Sequence, residues 1–113
     1  MRSILAGLIL LAGAAAQAQQ PASPAPDFAA ANLSPKGVQS MASACAMCHG
    51  TNGKPVAGSA VAGLAGRSAS DIAQAMAQFK AGTKPATIMH QIARGYSDAE
   101  VAALAQFFSR QAR

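Results

Sequence analysis

Apolar residues recur at helical spacing in three stretches of the chain, and nowhere do they alternate with polar ones over the length of a strand. Val38, Met41, Ala42 and Cys45 stand at i, i+3, i+4 and i+7. Ile72, Met76 and Phe79 form a second stripe, and Val101, Leu104, Ala105 and Phe108 a third. Stop and start signals bracket each one. Ser34-Pro35 opens the first helix, a hydroxyl cap followed by a proline at the position where its missing N–H costs nothing, and the turn Gly50-Thr51-Asn52-Gly53 closes it. Ser68 and Asp71 read as a capping box before the second helix, which Gly82 ends, and Ser97 with Glu100 reads as another before the third. Asp98 and Glu100 lie at the positive end of that last helix, with Arg110 and Arg113 at its negative end. Residues 87–94, stopped by Gly95, make a short helical piece, while residues 54–66 are rich in Gly and Ala without a period and read as a loop. The pattern predicts an all-α domain.

Ahead of the first stripe the pattern changes character. Residues 4–16 are almost wholly apolar, preceded by Arg2 and followed by Ala16-Gln17-Ala18, small residues where a signal peptidase reads. Residues 1–18 are therefore expected to be a secretory signal cleaved after Ala18, residues 19–33, with Pro21, Pro24 and Pro26, a tether, and residues 34–113 the folded domain. An uncleaved N-terminal anchor is the competing reading. The apolar run is short for a bilayer span and nothing after it is more apolar, so no stable span is expected after cleavage, and the expected location is the periplasm.

Composition narrows the classes. The chain has 113 residues and a formal charge of +5, one less without Arg2. It has no Lys/Arg cluster interleaved with aromatics, so nucleic-acid binding is not expected. Four Phe, one Tyr and no Trp leave a domain rich in Ala and poor in bulk. A core of alanines buries little area, and a domain this small is marginal unaided, so a bulky prosthetic group would supply what the side chains lack.

The chemistry lies at Cys45-Ala46-Met47-Cys48-His49, which contains the only two cysteines. Two thiols separated by two residues, with an imidazole directly after the second, meet the requirement for covalent haem attachment: each sulfur adds across one vinyl group, and His49 is held under the iron. Zinc would need four protein donors, and only His90 remains unassigned. A dithiol redox module would have its motif opening a helix among β-strands, and a disulfide here would close too small a loop to stabilise much. For the second axial position a soft thioether suits an electron carrier. Met41 and Met47 lie too near the motif to reach the opposite face. Met89, after a Pro-containing turn, is preferred over Met76, whose place in an apolar stripe points to the core. His90 adjoins Met89, but neighbouring helical positions point about 100° apart, so both cannot face one iron; a bis-His site is the minority reading and a surface His90 the default. Tyr96 is read as packing near the haem edge. Arg67 and Arg94 are candidates to pair with propionates.

These residues resemble the class I cytochrome c family, and the likeness covers nearly all of residues 34–113. Gly37, eight positions before Cys45, stands where that family packs a glycine against an aromatic of the last helix, here Phe107 or Phe108. Cys48-His49-Gly50-Thr51-Asn52-Gly53, Gly63-Leu64-Ala65-Gly66, Gln78-Phe79-Lys80-Ala81-Gly82, Thr87-Ile88-Met89 and Ile92-Ala93-Arg94-Gly95-Tyr96-Ser97 resemble, more narrowly, the haem subunits of flavocytochrome c sulfide dehydrogenases. In that group the Met of the Thr-Ile-Met run is the distal ligand. There a carbonyl near a proline two residues before the Leu of the Leu-Ala-Gly run holds the proximal imidazole; here that position is Ala62, and a backbone carbonyl is still able to supply the bond. The resemblance implies one haem c held by Cys45 and Cys48, iron ligation by His49 and Met89, and electron transfer without substrate chemistry. The partner it implies is a sulfide-oxidising flavoprotein or another redox protein. Alternatives are a free soluble carrier delivering electrons to an oxidase or another cytochrome, a peroxidase-like haem protein with an open distal site, and a thiol-disulfide module without haem.

Overall fold

The structure, a computed structural model, describes residues 32–113; the expected signal and the tether up to residue 31 lie outside the described residues. Among the described residues there are four α-helices, α1 Pro35–His49, α2 Ala69–Ala81, α3 Met89–Arg94 and α4 Asp98–Ser109, a 3₁₀ turn Thr51–Gly53 after α1, and no strand. None of the helices is long and apolar enough to cross a membrane.

Local chemistry sets the ends of these helices. Ser34 Oγ accepts from Gly37 N at 3.0 Å with Pro35 at the first helical position. Ser68 Oγ accepts from Asp71 N at 3.1 Å, but the Asp71 carboxylate does not reach back, so this cap is half of the box expected. A shorter Asp side chain in place of Glu accounts for the difference. At α4 the box is complete. Glu100 N donates to Ser97 Oγ at 3.2 Å and Ser97 N donates to Glu100 Oε2 at 2.7 Å. The short helix starts at Met89, two residues later than expected, because Thr87 and Ile88 form a bend ahead of it. Arg113 turns away from the end of α4 and donates through Nε and Nη2 to Gly66 O at 3.1 and 2.8 Å.

The apolar stripes meet as the spacing requires. Ala42 of α1, Ile72 of α2 and Leu104, Ala105 and Phe108 of α4 form one buried cluster, with Met41, Cys45, Tyr96 and Phe107 packed against it. α1 lies on α4, and α2 lies on both α3 and α4. Gly37 is half-buried in the first turn of the α1 that packs there. Phe108, the largest fully buried side chain, meets Phe107 edge-on at 5.2 Å between centroids.

Residues 54–65 leave this core and return to it. Gly53 O accepts from Leu64 N at 2.7 Å and Ala65 N at 3.0 Å, and Phe108 O accepts from Gly66 N at 2.9 Å. The loop is thus fastened at its base to the 3₁₀ turn and to α4.

The buried Glu100 also accepts from Asn32 Nδ2, tying the chain ahead of α1 to α4. These bonds, first those from Ser97 N and then those from the Asn32 and Ser97 side chains, hold its carboxyl below the usual carboxylate range. A depressed carboxylate contributes stability that is present above the ordinary pKa and is lost as pH falls through the lowered one. Glu100→Gln is expected to cost about 1 kcal/mol at neutral pH. Urea titrations should show the gap from the native protein closing as pH falls below the ordinary carboxylate range; a gap unchanged down to strongly acid pH would contradict this.

Candidate functional site

The motif residues lie in the last turn of α1, which ends at His49. Cys45 is half-buried and Cys48 exposed, and the two thiols are not bridged. Burial pushes the Cys45 thiol up in pKa, against a weaker opposing bond to its own backbone. A helix C-terminus is the negative end of the dipole and does not favour a thiolate, unlike the helix-opening position of redox dithiols. Cys45, Cys48 and His49 do not gather, among the described residues, into a cluster that could hold a bare metal ion.

They face instead a cavity of about 890 Å³ with a mainly apolar wall, a volume near the top of the range of about 300–1,000 Å³ for small-molecule and cofactor sites. One wall is α1 with residues 60–64; the other is α2, α3 and the loop between them. Met76 and Met89 both line it, and both are half-buried. The expected preference for Met89 therefore has both thioethers within one cavity. Ile72 and Phe79, the rest of the Met76 stripe, line it too, as do Leu104 and Phe108 of the core. Val61 and Ile88 line the cavity while 38% and 59% exposed, so apolar side chains stand at its mouth beside the exposed Arg67, Asp71, Lys84 and Gln91.

The imidazole of His49 is oriented by the fastened loop. His49 Nδ1 donates to Ala62 O at 2.6 Å. A carbonyl can only accept, so Nδ1 carries a proton, and Nε2 is the nitrogen that this bond leaves for another partner. Ala62 thus supplies, through its backbone, the orienting bond at the position where the resembling group has a proline nearby. Gly50, directly after His49, has φ +82 and ψ 161, a conformation open essentially to glycine alone. A Cβ there would come within 2.1 Å of Lys54 O, so the sharp turn that lets the loop reach His49 requires Gly50.

His90 does not line the cavity. It is half-buried rather than on the surface, and its Nε2 donates to Lys84 O at 2.7 Å, a bond that the spacing of residues does not reveal. Tyr96 lines the cavity, and burial, followed by the neighbouring Cys45 and Glu100 groups, pushes its phenol up, so it stays protonated. Of the two arginines considered for propionates, Arg67 lines the cavity and Arg94 does not; Lys84, which the sequence does not single out, lines it as well.

Two thiols and a correctly protonated imidazole on one wall, thioethers within the same space and an apolar lining fit a haem attached through Cys45 and Cys48. In comparisons with known proteins, the family model for cytochrome c matches residues 34–111. Over 64 residues the chain is 36% identical to the cytochrome subunit of sulfide dehydrogenase from Chlorobaculum tepidum, a match taking in 57% of this chain and 56% of the relative. The aligned part thus spans little more than half the length of that relative. The family match begins at the cap of α1 and ends beyond α4, taking in every residue that lines the cavity: the chain belongs to the cytochrome c family.

Proposed function

We propose that this protein is a periplasmic single-haem cytochrome that passes electrons one at a time, as the cytochrome partner of a sulfide-oxidising flavoprotein. Membership of the cytochrome c family makes it a haem electron carrier and not itself a catalyst. The flavoprotein partner is supported by the similarity to a subunit of sulfide dehydrogenase, and export by the apolar start of the chain. The observation that carries the reading is the His49 imidazole, fixed by Ala62 O with its other nitrogen free, on the wall of the cavity that both thiols line.

Cys45 and Cys48 would hold the haem, with His49 Nε2 and the Met89 sulfur as donors to its iron. Bound there, haem supplies a one-electron iron couple. The chain's contribution is to keep donors and wall fixed in both oxidation states. Ala62 O prevents rotation of His49 and raises its basicity as a ligand. The apolar lining excludes water and disfavours net charge, which raises the potential.

Maturation in a host that attaches haem on the exported side should give a coloured protein with no free thiols and the mass of one haem added. Met89→Ala should abolish the long-wavelength sulfur-to-iron band and open the iron to added imidazole. If the band survives there and disappears in Met76→Ala, Met76 is the ligand. Co-purification with a flavin-containing chain tests the partner, and a monomer without one would favour a free carrier.

A further inference from the structure

We infer that His90 is the positioning residue for Met89, a pin that holds closed the loop carrying it. This rests on the reading of Met89 as the distal ligand. Met89 is the first residue of α3, a helix of six residues whose N-cap, Ile88, makes no side-chain capping bond. A helix so short has little stability of its own. The loop leading to it is tied down only at its beginning, where Gln78 O accepts from Thr83 N at 3.0 Å and Thr83 Oγ1 at 3.3 Å. Beyond Lys84 these ties stop. Pro85 has no N–H to give, and Ala86 and Thr87 make no hydrogen bond among the described residues.

One bond spans the gap. His90 Nε2 donates to Lys84 O at 2.7 Å, joining the near end of the loop to the residue after Met89. α2 supports both ends of that bond. Phe79 meets the imidazole edge-on, with centroids 6.2 Å apart and planes at 69°, and Lys84 Nζ stands 5.8 Å over the same ring. With its Nε2 proton committed to the carbonyl, the imidazole acts on the site through the backbone on either side of Met89. Without the bond, the path from Lys84 to Met89 has no internal restraint, and the thioether would leave the iron more often.

The test uses the full chain with haem attached and adds imidazole as the competing ligand. His90→Phe keeps a ring against Phe79 but donates nothing; it is expected to speed displacement of the internal ligand by about two- to tenfold, the factor one neutral hydrogen bond provides, and to weaken the sulfur-to-iron band. His90→Ala should do the same or more. His90→Gln, whose amide can donate, should recover a good part of both signals. Native behaviour of His90→Phe in both measurements overturns the inference, as does a His90→Gln no better than His90→Ala. Failure of the underlying reading would look different: Met89→Ala would keep the band.

Discussion

Replacing Phe108 by alanine is expected to cost the haem-loaded protein about 3–5 kcal/mol, the range for removing a large aromatic from a close-packed core. Phe108 is 1% exposed, belongs to the cluster joining α1, α2 and α4, and forms part of the cavity wall. Its ring also abuts the position where a Gly53 side chain would be, and its carbonyl receives Gly66 N. The hole left behind would lie in a cluster shared with Ala42, Ile72, Leu104 and Ala105, of which the two alanines cannot swing in to fill it. A domain of this size unfolds with only about 5–15 kcal/mol in hand, so thermal melts of the oxidised protein should fall by roughly 12–40 °C. A fall of under about 5 °C would mean that the haem, not this ring, carries the core.

Gly53→Ala is also expected to be strongly damaging. Gly53 has φ +81, in the left-handed region, and an added Cβ would meet Leu64 Cβ and Phe108 Cδ1 at 2.8 Å each. The backbone conformation costs about 1–2 kcal/mol and the overpacking about 1–3 kcal/mol. Gly58 separates the two contributions, since it has the same φ with nothing within 4 Å of a Cβ. Gly58→Ala should show the backbone cost alone. Only Gly53→Ala should also disturb the haem signals, because Gly53 O anchors Leu64 and Ala65 and so sets the height of Ala62 O over His49. Equal losses of stability in the two variants, with unaltered spectra in both, would remove that link.

The contrast between these glycines shows what a sequence exposes and what it conceals. The stripes Val38 to Cys45, Ile72 to Phe79 and Val101 to Phe108 are legible because burial leaves its mark in the spacing of side chains. The Cys45, Cys48 and His49 motif is legible because its chemistry needs those side chains at that separation. The bond that orients His49 goes to a backbone carbonyl, which every residue possesses, so the residue type at Ala62 carries no mark of its role and only the resemblance points to that position. His90 is concealed in the same way, since its acceptor is the carbonyl of Lys84. The Ser68 cap is legible only in part, because a hydroxyl signals a helix start while the reach of Asp71 back to it depends on one methylene. Which of Met76 and Met89 would approach an iron depends on the fold of a loop with little secondary structure, and no periodicity encodes that.

Asn32 and Glu100 are bonded although 68 positions apart, and α1 rests directly on α4. The two ends of the domain therefore clasp each other directly, and residues 50–97 form a closed ring that returns to that clasp. Breathing of the ring near Met89 need not loosen the clasp, so the amides of α1 and α4 should outlast those of α3 in deuterium exchange.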